Sequence, residues 1–153
     1  MESYQDFSEL LELLNATEVE YLVVGGYAVA HHGHPRYTRD LDLFVHTSPD
    51  NARRIVKVLG EFGFGAVGLT EEDFASPNRV VQLGQPPIRI DFVTSLDGVN
   101  WDEAWATRTP GRYGAVDVNY ISKDQLISNK RAVGRLQDLA DVEALQAGPG
   151  DEV

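Results

Sequence analysis

Asp40 and Asp42 stand two apart in the run Asp40-Leu-Asp-Leu-Phe-Val45. Alternating apolar and polar residues mark a strand, with Leu41 and Leu43 on one face and both aspartates on the other. Residues i and i+2 of a strand lie about 6.6 Å apart. Two carboxylates at that spacing repel by about 2.5 kcal/mol at an effective dielectric of about 20, so a partly buried pair calls for a cation between them. Mg²⁺, whose oxygen ligands sit at about 2.0–2.1 Å, is within reach of both. Ile88-Arg-Ile-Asp-Phe92 repeats the pattern, with Ile90 and Phe92 toward the core and Asp91 on the other face. If the two strands are neighbours, Asp91 completes a carboxylate triad. Three carboxylates can hold two metal ions about 3.5–4 Å apart, an arrangement that activates a hydroxyl and steadies a leaving pyrophosphate. Standing alone, an Asp-x-Asp on an alternating strand is ordinarily a solvated sheet face. Its setting changes that reading. Gly25-Gly26 lies between an apolar strand and a helix, where backbone N–H groups can cradle phosphate.

The elements that must position these residues follow from periodicity. Phe7, Leu10, Leu11 and Leu14 have helical spacing. Tyr21-Leu-Val-Val24 reads as a buried strand stopped by the glycine pair, and Tyr27 to His32 as the helix after it. Ser48 and Pro49 suit the cap and first turn of a helix running through Ile55, Val56 and Leu59 toward Gly63 and Gly65. Thr70 to Asp73 marks a short turn or helix. Arg79–Leu83 and Ile88–Val93 read as strands joined in a hairpin through Gly84-Gln-Pro-Pro87, and Ala115–Ile121 as one more strand. Ser122-Lys-Asp-Gln125 is a capping box opening a helix to about Val133, with a second helix over Leu136–Leu145. A helix crossover and a hairpin in one chain predict a mixed sheet flanked by helices, an α/β (α+β) fold. One domain over 1–146 and a frayed tail over 147–153 complete the expectation.

Composition narrows the function. The 153 residues fit a single core. There is no cysteine, which excludes disulfides, thiolate metal sites and a cysteine nucleophile and suits a reducing cytoplasm. No apolar run approaches the ~20 residues that cross a bilayer, and the acidic start MESYQDFSEL is unlike an export signal. Neither membrane association nor export is expected. A net charge of -11 opposes extended DNA binding. Yet five Lys/Arg against three Asp, and all four histidines, fall between His31 and Lys57. That points to an anionic ligand held at one place.

With these residues in hand, the sequence resembles the DNA polymerase beta-like nucleotidyltransferase superfamily, whose signature is a glycine pair followed by an acidic pair on the next strand. The fuller resemblance is to small bacterial transferases related to the AbiEii toxin group. It rests on VVGGYAVAHHGHPRYTRDLDLFV, on IRIDFVTS and on DQLISNKRAVGRLQDLADVEAL, from about Tyr21 to Leu145. The resemblance implies that Asp40 and Asp42 bind Mg²⁺, or Mn²⁺ in its place, together with a nucleoside triphosphate. Asp91 is then a third metal ligand or the base for the attacking hydroxyl, and Gly25 and Gly26 contact the triphosphate. The pattern Lys-x4-Arg-x2-Asp falls on Lys130, Arg135 and Asp138, with Asp141 following, and it aims Lys130 at the phosphates. Relatives often carry Lys where Gln137 stands, so one contact is weakened.

Arg36, Thr38 and Arg39 precede the acidic strand and could bind phosphate or orient the pair. His31, His32 and His34 lack zinc spacing and suit a helix end and loop lining an acceptor pocket. Trp101 and Trp105, four apart on a helix, suit core packing better than stacking on a base. Asp138 and Asp141 suit ion pairing with Lys130 or Arg135. The expected reaction is transfer of a nucleoside monophosphate from an NTP to a hydroxyl, with release of pyrophosphate. The acceptor is a protein, a small molecule such as an antibiotic, or a tRNA end. A cognate toxin or antitoxin partner is in keeping with the resemblance. The rival expectation is a non-catalytic nucleotide- or partner-binding module, which has no physical need for three clustered carboxylates.

Overall fold

The computed structural model describes residues 4–35, 38–64, 67–85 and 88–147. Among them the chain forms α1 (Gln5–Ala16), β1 (Tyr21–Val24), α2 (Gly25–His31), β2 (Asp40–Val45) and α3 (Pro49–Leu59). After a π turn at Gly60–Phe64 come α4 (Glu71–Ala75), β3 (Val80–Gln85), β4 (Ile88–Val93), α5 (Trp101–Ala106), β5 (Thr109–Tyr113) and β6 (Val116–Tyr120). Two helices close the order, α6 (Lys123–Val133) and α7 (Leu136–Ala147). No helix among the described residues is long and apolar enough to cross a membrane.

The six strands make one mixed sheet in the order β3-β4-β2-β1-β6-β5. β1 lies antiparallel to β2 and parallel to β6, β2 is parallel to β4, and β3–β4 and β5–β6 are antiparallel hairpins. Central position explains composition: β1 has a neighbour on each side and all four of its residues are buried, so it reads as an unbroken apolar run. The hairpin expected from Arg79 to Val93 forms, and the Pro86 and Pro87 of its predicted turn lie outside the described residues. β5, Thr-Pro-Gly-Arg-Tyr, was not expected. Its Pro110 is admissible because β5 is an edge strand, and Gly111 lies so close to His31 and Tyr120 that a methyl there would sit 2.6 Å from the His31 ring.

α1 buries Phe7, Leu10, Leu11 and Leu14, the residues singled out by their spacing. Each such side chain contributes about 1.5–3 kcal/mol on burial. α3 begins as its cap predicts, with Ser48 accepting from the Asn51 N–H at 3.2 Å and Pro49 in the first turn. Asn51 itself is buried and ties three backbone groups together. Its Oδ1 accepts from the Glu20 N–H, and its Nδ2 donates to the carbonyls of Glu20 and His46. That fixes the entry to β1 against the exit from β2. α7 runs to Ala147, one residue into the expected tail, and 148–153 lie outside the described residues.

Candidate active site

The parallel pairing of β2 with β4 sets the site. Its register places Asp42 opposite Asp91 and Asp40 opposite Arg89. Opposite residues on neighbouring strands lie about 4.8 Å apart, so β4 is the neighbour of β2 that the expectation required. On its other side β2 pairs with β1, Asp42 lying opposite Val24, the last residue before the glycines.

This pairing explains the glycine pair. Gly25 has φ +67° and faces Asp42 so closely that a side chain there would run into the Asp42 carboxylate. A methyl on Gly26 would sit 2.9 Å from Thr38 Cγ2. Thr38 is held in turn by its carbonyl, which accepts from the Tyr27 hydroxyl at 3.4 Å. The pair was expected as a turn ahead of a helix beginning at Tyr27. Instead it opens α2 itself, and it makes room for the acidic strand.

Asp91 is buried and Asp40 about one-third exposed. Between them reaches Arg89, a residue that the sequence reading passed over. Its Nε and Nη2 donate to the two carboxylate oxygens of Asp91, both at 3.1 Å, and Nη2 lies 3.5 Å from Asp40. Three carboxylates against one guanidinium leave a formal charge of about −2 when all are ionised. Asp42 carries the consequence. Its carboxyl is pushed from an ordinary 3.8 up to about 7, first by burial, then by the charges of Asp91 and Asp40 and a hydrogen bond with Asp91; Arg89 opposes.

The donor set fits a hard divalent cation. All the groups are carboxylate oxygens, the ligands that Mg²⁺ and Mn²⁺ favour, and the uncompensated charge equals that of one such ion. As the side chains stand, no three His, Asp or Glu among the described residues are gathered closely enough to hold an ion, and Arg89 engages two of the three aspartates.

The residues of the C-terminal block lie in a different arrangement. Lys130 is buried, and its Nζ donates to Asp141 at 2.8 Å and to Asp138 at 3.4 Å. Arg135, largely exposed, donates to Asp138 through Nε at 2.6 Å and Nη2 at 3.2 Å, and its backbone N–H does so as well. Asp138 is held below the ordinary carboxylate range, first by Arg135 and then by Lys130, against the opposing effect of burial. Gln137 donates to Asp141. Lys130, expected at the triphosphate, is held in an ion cluster that joins α6 to α7.

Arg36 lies outside the described residues, and Arg39 is exposed. His31 stacks on Tyr120 with ring centroids 3.9 Å apart, and His32 Nε2 bonds the Ile121 carbonyl at 2.8 Å. These two histidines therefore bind α2 to β6. Trp101 stacks on His46 and on Trp105, and Arg108 covers Trp105. Both indole rings are engaged in packing. A groove of about 760 Å³ between α1 and the π turn, lined by Asp6, Glu9, Glu61 and Phe62 among others, shares no residue with the carboxylate cluster.

A mixed sheet carrying an Asp-x-Asp strand beside a third aspartate, behind a glycine pair, has the fold of nucleotidyltransferases. Two solved structures share it. The lincosamide antibiotic adenylyltransferase LnuA, in its lincomycin-bound form, has a TM-score of 0.56 at 14% identity, over 95% of this chain and 97% of that one. An antigenic nucleotidyltransferase-like protein from Paracoccidioides brasiliensis has a TM-score of 0.54 at 18% identity, over 90% and 72%. No curated protein matches by sequence. The family model described as aminoglycoside-2''-adenylyltransferase matches residues 6–130, and the chain belongs to that family.

Proposed function

We propose that this chain is a metal-dependent adenylyltransferase that moves AMP from ATP to a hydroxyl of a small, amine-bearing acceptor, releasing pyrophosphate. The observation that carries the reading is the register of β2 on β4, which sets Asp42 against Asp91 with Asp40 on the same face. Asp40, Asp42 and Asp91 would hold Mg²⁺ or Mn²⁺. When bound, such an ion offsets phosphate charge and eases loss of pyrophosphate. The acceptor oxygen bonds to the α-phosphorus as the bond to the pyrophosphate oxygen breaks, and the hydroxyl proton passes to a carboxylate of the cluster. Gly25 and Gly26 would admit the triphosphate close to the backbone, and Arg39, exposed just before β2, would meet it. Lys130 serves by holding α6 on α7.

The acceptor class rests on charge. A chain of net charge -11 attracts a polyamine and repels an RNA backbone. The matched family is described by action on an aminoglycoside, and LnuA is an antibiotic adenylyltransferase. The AbiEii-like setting, with a toxin or antitoxin partner, remains a narrower reading supported by the sequence blocks alone. Incubation of the chain with α-labelled ATP and Mg²⁺, offering in turn an aminoglycoside panel, a lincosamide, tRNA and cell extract, tests this reading. Label on an aminoglycoside is the expected result. Label on tRNA or a protein would replace the acceptor assignment, and ATP binding without transfer to any of them would favour a binding module.

A further inference from the structure

Arg89 has no place in the reaction as drawn above, yet it is bound to two of the three aspartates. Its guanidinium binds both oxygens of Asp91 in a two-bond fork and reaches Asp40, its register partner across the β2–β4 pair. A guanidinium stays charged under all ordinary conditions. It therefore acts as a permanent cation for a cluster whose other members are all acidic. With Arg89 on two of the three carboxylates, the described residues present no three-ligand metal site.

We propose that Arg89 is a positioning residue, a resident counter-cation that occupies the Asp40–Asp91 pair in the empty enzyme and that the metal must displace. The inference rests on the metal-dependent reading of Asp40, Asp42 and Asp91. Two cations cannot share these oxygens without repulsion, so the fork on Asp91 opens as the ion enters. The side chain is one-third exposed and has a long flexible stem, so it can swing outward without disturbing β4. Arg89 stands opposite Asp40 and two residues before Asp91, and its planar donors suit phosphate oxygens. Arg89 thereby couples the two ligands: bare metal binds against it, and metal with triphosphate binds with its help.

The test is a titration of the whole chain with Mn²⁺ or Mg²⁺, followed by calorimetry and by thermal shift, with and without a non-hydrolysable ATP analogue. In Arg89→Gln the competing charge is gone, so the bare metal should bind more tightly by about tenfold, the scale of one charge-assisted contact. The analogue in the presence of metal should bind more weakly by a similar factor. Arg89→Lys keeps the charge without the fork and should fall between. It also serves if the glutamine variant fails to fold. Unchanged or weaker binding of bare metal in both variants overturns the inference while leaving the metal site standing. Absence of metal binding in the wild type, with no effect of Asp42→Asn, defeats the metal reading and this inference with it.

Discussion

Replacing Asp42 with Asn removes a carboxylate that the fold holds against its own preference. Its carboxyl titrates near 7 in the folded chain against 3.8 ordinarily, and that difference corresponds to about 4 kcal/mol. The sign is fixed by proton counting. Between pH 4 and 7 the folded state keeps a proton on Asp42 that the unfolded chain has lost. Stability contributed by this residue is therefore full below pH 4 and falls as pH rises, at up to about 1.4 kcal/mol per pH unit. Asn has nearly the same shape and no charge, so the variant lacks this loss. Its amide can donate to Asp91, but it replaces the carboxyl imperfectly, and about 2 kcal/mol of net gain at pH 8 is the realistic expectation. For a chain of this length that is about 4–8 °C in Tm.

Urea denaturation of wild type and variant, without metal, at pH 4, 6 and 8 reads this directly. The variant should be the less stable of the two at pH 4, close to the wild type near pH 6 and the more stable at pH 8. Millimolar Mg²⁺ should reverse the order at pH 8, because ligand binding stabilises only the form that binds it, and nucleotidyl transfer should be lost in the variant. A wild-type-minus-variant difference that stays constant from pH 4 to 8 would falsify the claim that Asp42 is held neutral.

Other perturbations act on separate parts of the fold. Gly25→Ala forces a side chain into the Asp42 carboxylate at a positive φ; a loss of about 2–4 kcal/mol by urea denaturation is expected, and metal binding should weaken with it. Lys130→Met leaves Asp138 and Asp141 buried without their shared ammonium, which should cost about 3–5 kcal/mol. Asp138, held below its ordinary range, stabilises the fold above pH 4, and that contribution should vanish below pH 4, opposite in sense to Asp42. Asn51→Leu strands three backbone groups and should cost about 2–4 kcal/mol in the same assay. Transfer measured well below the variant's Tm should survive, since Asn51 sits at the far end of β2.

The strands that carry the site were legible because their patterns are extreme. β1 is wholly apolar, β2 and β4 alternate, and a glycine pair precedes the acidic strand. Arg89 was missed although the signal was present. It stands two residues before Asp91 on the same face, the spacing that made Asp40 and Asp42 a pair, but an Arg beside an Asp on a strand passes for a surface ion pair. β5 was missed because Pro110 and Gly111 argue against a strand, and only its edge position and the close approach of His31 make it one. The arrangement of Lys130 depends on the turn at Gly134, φ +72°, which folds α7 back so that Asp138 and Asp141 meet the ammonium. No spacing within α6 alone could show that.

Two groups of aspartates in this chain thus differ in a way that separates structure from chemistry. At α6–α7 two cations, Lys130 and Arg135, face two carboxylates, Asp138 and Asp141, and Asp138 is held below its ordinary range. Charge closes there, and the reward is the packing of two helices. On β2–β4 three carboxylates face one guanidinium, and Asp42 is driven upward to about 7. Charge stays open, at a cost to the empty protein that neither packing nor hydrogen bonding requires, since a neutral residue at 42 would remove it. Under the proposed metal-dependent transfer, an arrangement that destabilises its own fold by about 4 kcal/mol near pH 8 would gain its stability from a bound ligand. A divalent cation with a nucleotide has the charge and the oxygen chemistry to supply it.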